Sequence, residues 1–305
     1  VRLCSGTAPP GMYTLSPHAA LPRPPLYFHC DRATEIRVTS GSGPIHNRDG
    51  YSSSHGNEDS KSERIRGVLF DATGTLFDTR ESIGTVYARH AAPHGVDLPS
   101  WRLDDAFARV LAAAPPRVFP DCEASEITHL EQQWWRNVVR SSFLAADSTL
   151  EFDDFSSFFS ELYAYYETAE AWALRPGTRH VLSELKRRGF RTGVVSNFDQ
   201  RLPIILQALD IDEFLDPVMT PAQCRAEKPD GRIFEAALQA LKLPAALVIY
   251  VGDDPEKDRA AAVRAGMQCL DPDAFEAYAD FIHHVESMKV LCPDRVSDSA
   301  SDEAR

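Results

Sequence analysis

Three short apolar runs mark the chain, and each gives way abruptly to polar residues. Residues 65–70 run into Asp71-Ala72-Thr73-Gly74, residues 191–195 into Ser196-Asn197, and residues 247–251 into Gly252-Asp253-Asp254. Runs of this length, rich in Val, Ile, Leu and Phe and closed by Gly, Asp or Asn, predict buried strands. Helical periodicity fills the intervals 177–188, 230–241 and 256–265. The alternation predicts an α/β fold with a Rossmann-like core, a doubly wound parallel sheet built from strand–helix–strand crossovers. In such sheets ligands sit beyond the carboxyl ends of the strands. All three polar clusters fall there.

The stretch 81–172 breaks this rhythm, with four helical patterns, among them 125–146 and 152–171, and no strand pattern. Trp134, Trp135, Val138, Val139 and Phe143 recur at helical spacing, as do Phe155, Phe158, Phe159, Leu162 and Tyr166. Stripes of this kind pack helix against helix. The interval is therefore expected to be an inserted helical-bundle cap, with the core formed by 63–80 and 173–291. Residues 1–62 are rich in Pro, Ser, Gly and His without an apolar period, and 292–305 are polar and acidic. Both are expected to be disordered. The first 30 residues carry Arg2 and Arg23 but no acid, a faint transit-peptide signature without an amphipathic helix. Import into an organelle thus stands beside a cytoplasmic or nuclear location.

Charge and composition narrow the function classes. A formal charge of −13 over 305 residues, with no compensating basic stripe, argues against nucleic acid as a partner. The longest apolar runs fall far short of the roughly 20 residues that span a bilayer, so no membrane partner is expected. The six cysteines lie far apart and form no C-x-x-C pair. Free thiols in a reducing compartment are expected, with neither zinc nor a disulfide framework.

The residues at the strand ends carry the candidate chemistry. Asp71 before Gly74 can project into a crevice whose turn amides face an anion, although Asp-x-x-Gly is also ordinary turn chemistry. Asp253, Asp254 and Asp258 place three carboxylates within six residues, which repel one another unless a cation intervenes. An all-oxygen set favours Mg²⁺ over zinc. The competing reading is that Asp254 or Asp258 caps the following helix. Ser196 and Asn197 can donate to an oxyanion or merely form a turn. Lys228, before Pro229 and the capping Asp230, is on its own a residue that would normally sit in solvent.

In order and spacing, Phe70-Asp71-Ala72-Thr73-Gly74-Thr75-Leu76, Val194-Val195-Ser196-Asn197, Glu227-Lys228-Pro229 and Gly252-Asp253-Asp254-Pro255-Glu256-Lys257-Asp258 resemble the four motifs of the haloacid-dehalogenase-like hydrolases. The likeness covers about 64–275 and extends to the subfamily with a helical cap. It implies that Asp71 is a nucleophile forming an aspartyl-phosphate, that Ser196 binds a phosphoryl oxygen and that Lys228 offsets its charge. It implies Mg²⁺ held by Asp71, the Thr73 carbonyl and Asp253, with Asp258 behind them. Thr75 and Asn197 would contact the substrate, a small phosphorylated metabolite chosen by the closing cap.

One residue departs from the pattern. The family's phosphatases carry an Asp two residues after the nucleophile to protonate the leaving group, and here that position is Thr73. Loss of a general acid costs about 10²–10⁴-fold in rate. Nothing in the sequence selects Asp199 or Glu123 as a substitute. Three readings follow. The first is a phosphatase or phosphotransferase for substrates with good leaving groups, as the same Thr in the resembling motif of P-type ATPases allows. The second is a dehalogenase, whose opening motif is similar but which needs no metal. The third is a non-catalytic interaction protein that keeps the fold.

Overall fold

The computed structural model describes residues 64–275 and 278–288. The expectations for 1–62 and 292–305, including the transit-peptide signature, lie outside these residues.

Strand β1 (Gly67–Phe70) is buried along its whole length. It lies at the centre of a five-stranded sheet between β4 (Arg191–Val195) and β6 (Val248–Val251), with β5 (Val218–Met219) and β7 (Gln268–Leu270) at the edges. Every pairing is parallel. Alternate side chains of β1 enter different cores, as the pleat of a strand requires. Val68 and Phe70 join Val194, Ile249 and Val251 beneath helices α5 (Thr178–Arg187), α6 (Leu202–Ala208) and α10 (Tyr278–Ser287). Leu69 joins Val195, Val248 and Tyr250 beneath α8 (Gly231–Leu241) and α9 (Ala261–Arg264). Both faces are covered, which is why these strands read as continuous apolar runs rather than as alternation. The edge strands β5 and β7 span two and three residues and are half-buried, too short and too mixed to stand out in the sequence.

Between β1 and α5 the chain leaves and returns through an antiparallel ribbon, β2 (Phe77–Thr79) paired with β3 (Trp172–Leu174). Within it lie α1 (Ile83–Ala91), α2 (Ser100–Ala113), α3 (Ile127–Ala146) and α4 (Phe155–Tyr165). They close around a separate core in which Phe143 stacks on Tyr87 at 5.8 Å and meets Phe158 edge-on at 5.3 Å. Tyr165 and Tyr166 pack against both this core and the sheet core. Helix α4 is shorter than the periodicity over 152–171 predicts. Asp154 caps it, accepting from the amides of Ser156 and Ser157 at 2.9 and 3.1 Å, so the helix begins there. The remaining short helix, α7 (Pro221–Cys224), leads from β5 toward Lys228. No helix among the described residues is long and apolar enough to cross a membrane.

Candidate functional site

The register of the sheet brings the site together. Phe70 lies beside Val194 and Val251, so the next residues of the three strands, Asp71, Val195-Ser196 and Gly252-Asp253, emerge side by side at one sheet edge. The Asp71 amide donates to Val251 O at 2.8 Å, which fixes where its carboxylate starts. The chain then turns sharply: Leu76 and Phe77 amides both return to Ala72 O, and Gly74 adopts φ +82°. A Cβ on Gly74 would lie 2.7–2.9 Å from the Asp253 carboxylate. Glycine is thus required twice over, by the left-handed backbone and by the approach of Asp253.

Asp71, Asp253 and Asp258 each place a carboxylate oxygen within 4.8 Å of the others. Into this cluster reaches Lys228, 3% exposed. Its Nζ donates to Asp258 Oδ1 at 2.5 Å and to Tyr250 Oη at 3.1 Å, and it forms an ion pair with Asp71 Oδ1 at 2.7 Å. The Asp71 contact has ion-pair distance but not hydrogen-bond alignment. Burial works against the Lys228 charge, yet the Asp71 and Asp258 carboxylates outweigh it and hold its pKa above the ordinary lysine value. Burial, reinforced by the charge of Asp71, pushes the Asp253 carboxyl up. Three carboxylates thus share one neighbourhood with a single ammonium that pairs with two of them, and the negative charge left over fits an added cation.

The other expected residues divide. Ser196 is buried, its amide tied to Met219 O at 3.0 Å. Thr73 is exposed and forms an isolated bridge with Phe77. Asp258 is enclosed, with Oδ1 shared by Lys228 and Tyr250 and Oδ2 accepting from the Asp254 amide at 3.1 Å, so it anchors the lysine from behind. Asp254 is the helix cap, accepting from the amides of Glu256 and Lys257 at 2.8 Å. Asn197 grips Lys228, donating from Nδ2 to its carbonyl at 2.9 Å and accepting its amide at 2.6 Å; this task differs from the substrate contact expected of it. Thr75 has a buried hydroxyl without a partner and lines a cleft of about 340 Å³ with Arg175 and Phe275; Asp71, Lys228 and Asp253 do not line that cleft. Asp199 is fully buried, held by Arg201 through both oxygens and by Trp135 Nε1 at 2.6 Å. Its pKa lies below the usual range: burial opposes the charge, and the Arg201 pairing outweighs it. With both oxygens engaged and its charge favoured, it is poorly suited to act as a substitute acid.

Sequence reasoning passed over Tyr250, whose hydroxyl lies 2.9 Å from both Val195 O and Asp258 Oδ1. The available signal was a Tyr inside an otherwise aliphatic buried strand, where its hydroxyl needs a partner. Arg175, which donates to Gly74 O and pairs with Asp273, carried no such signal.

A family model described as haloacid dehalogenase-like hydrolase matches residues 65–266. Haloacid dehalogenase-like hydrolase domain-containing protein 3 of Xenopus laevis is 32% identical over 203 residues, covering 67% of this chain and 82% of the relative. Among solved structures, the putative HAD-hydrolase YfnB of Bacillus subtilis, bound to magnesium, superposes with a TM-score of 0.55 at 12% identity, over 74% of this chain and all of that one. A dehalogenase with an intermediate complex superposes with a TM-score of 0.51 at 21% identity, over 68% of this chain and 85% of that one.

Proposed function

Because this chain belongs to the haloacid dehalogenase-like hydrolases, we propose that it is a Mg²⁺-dependent phosphatase or phosphotransferase acting on a small phosphorylated metabolite through an aspartyl-phosphate on Asp71. The observation that carries this reading is the cluster of Asp71, Asp253 and Asp258 at the carboxyl edge of the sheet, with Lys228 paired to Asp71 and Asp258. A purely hydrolytic site without metal has no use for the exposed third carboxylate, Asp253, against which Gly74 is so closely fitted.

Asp71 attacks phosphorus in line, forming the acyl-phosphate bond as the bond to the leaving oxygen breaks. Water then attacks the same phosphorus and releases phosphate, restoring the carboxylate. Lys228 stays protonated at neutral pH and offsets the charge on the phosphoryl oxygens without transferring a proton. The Ser196 hydroxyl donates to one of those oxygens. When bound, Mg²⁺ would supply Lewis-acid neutralisation of the phosphoryl group, and Asp71, the Thr73 carbonyl and Asp253 are the groups that would hold it. Thr73 has no acidic proton to give near pH 7, so the substrates favoured are those whose leaving group needs little protonation, such as acyl phosphates.

Asp71→Asn abolishes turnover of acetyl phosphate, and Asp253→Asn raises the Mg²⁺ needed for half-maximal rate at least roughly 10-fold. Unchanged turnover in purified Asp71→Asn sinks the reading. Halide release that survives a chelator would replace it with dehalogenation.

A further inference from the structure

The helical insertion touches the loop after β4 at several points, and these contacts are unequal. Thr128 Oγ1 reaches Gln200 Oε1 at 3.0 Å, Glu131 Oε2 accepts the Gln200 amide at 3.0 Å, and Trp135 Nε1 donates to Asp199 Oδ2 at 2.6 Å. All three grip residues whose side chains point back into the insertion or onto Arg201. Arg117, in the link between α2 and α3, reaches a different residue. Its Nη2 donates to Asn197 O at 2.5 Å. Asn197 is the residue whose side-chain amide holds both the carbonyl and the amide of Lys228. Lys228 in turn meets Asp71 and Asp258. Three successive polar contacts therefore run from the insertion to the proposed nucleophile.

Arg117 is an unusual choice for a mere packing residue. It is 8% exposed and makes no direct ion pair among the described residues, although the carboxylates of Asp199, Glu131 and Glu227 favour its charge from further away. Its Nε is buried without a partner. Its guanidinium lies 5.0 and 5.2 Å from the ring centroids of Trp134 and Trp135. Burying a guanidinium without an ion pair is unfavourable, and an uncharged side chain of similar length would fill the same space with less desolvation. A neutral side chain would neither offset the nearby charges of Asp199 and Glu131 nor donate a charge-assisted hydrogen bond to the Asn197 carbonyl, and only the second of these reaches toward Lys228.

We propose that Arg117 is a positioning residue: it transmits the seating of the helical insertion to Lys228 by fixing the Asn197 peptide, whose side chain clamps the lysine. The inference rests on the phosphoryl-transfer reading for what Lys228 does, and on the contacts alone for how it is held. Misplacement of a charge-stabilising group by about 1 Å costs on the order of 10²-fold in rate, so the loss of this anchor lowers kcat while leaving KM nearly unchanged.

The test compares wild type, Arg117→Met, Arg117→Lys, Asn197→Ala and the Arg117→Met/Asn197→Ala double variant in the full chain. The Lys228 amide, which donates to Asn197 Oδ1, is followed by hydrogen exchange resolved by NMR, and acetyl phosphate turnover is measured in Mg²⁺. Arg117→Met is expected to speed Lys228 exchange roughly 10-fold or more and to lower kcat by roughly 10- to 100-fold. Arg117→Lys, which keeps a charged donor, recovers most of both effects. In the Asn197→Ala background Arg117→Met adds nothing, because the link it acts through is already cut. Unaltered Lys228 exchange in folded Arg117→Met overturns the proposal, as do effects of the two substitutions that simply multiply. If wild type turns over no phosphate ester, the phosphoryl-transfer reading fails by itself, and the exchange measurement still decides whether Arg117 holds the lysine.

Discussion

Gly74 shows how one small residue sets the spacing of the carboxylate cluster. Its φ of +82° and the 2.7 Å gap between a notional Cβ and Asp253 leave no place for a side chain. Gly74→Ala is expected to lower stability by about 1–3 kcal/mol, read from the urea midpoint, and to weaken Mg²⁺ binding by pushing Asp253 away from Asp71. Tyr250→Phe removes a hydroxyl that meets Lys228 and Asp258, and should cost about 1–3 kcal/mol because a buried acceptor loses its partner. The contrast between these positions explains what the sequence revealed. Asp71, Asp253 and Lys228 were legible because each stands in a motif beside a strand or helix boundary. Tyr250 was hidden inside an apolar run, and Arg117 and Arg175 act from loops whose long side chains reach main-chain carbonyls far away in sequence.

The central strands were legible because burial on both faces makes them uniformly apolar, whereas β5, β7 and the β2–β3 ribbon are too short for any periodicity to register. The segment after β6 read as one helix over 256–265 and instead opens with a π-helical turn, Pro255–Ala260, before α9. That turn is where Asp258 points back beneath Lys228, and a locally widened helix at a site residue is a familiar association. Helix α3 carries a different burden. Glu131 is 1% exposed, and burial pushes its pKa to about 7, against the favourable amide of Gln200; Asp199 raises it further, while Arg117 and Arg201 lower it. The unfolded chain ionises this carboxyl near the ordinary value of 4.5, below the folded value. The contribution of Glu131 to folded stability therefore declines as pH rises from about 4.5 to about 7 and levels off above it. Relative to Glu131→Gln, wild type should lose up to about 3 kcal/mol across that window. Parallel thermal melts of the two proteins at pH 5 and pH 7.5 check the sign; equal shifts in both would contradict it.

The molecule as a whole joins a parallel sheet that presents an acidic, lysine-centred site to a helical insertion with its own core. The insertion docks on the loop that immediately follows Ser196, so the element expected to choose the substrate also rests on Asn197, the loop residue that holds Lys228. Sequence periodicity alone could announce the insertion but not this docking, because the contacts join residues 64 to 80 positions apart. The proposed function turns on Thr73, which stands where a phosphoryl-transfer site would carry its proton donor. The measurement that addresses this most directly is turnover of acetyl phosphate, p-nitrophenyl phosphate and a sugar phosphate, with and without Mg²⁺, by wild type and by Thr73→Asp. Wild type is expected to hydrolyse the first two only in Mg²⁺, and Thr73→Asp to gain about 10²–10⁴-fold on the sugar phosphate. Absence of turnover in both folded proteins, or turnover that a chelator leaves untouched, would contradict the account.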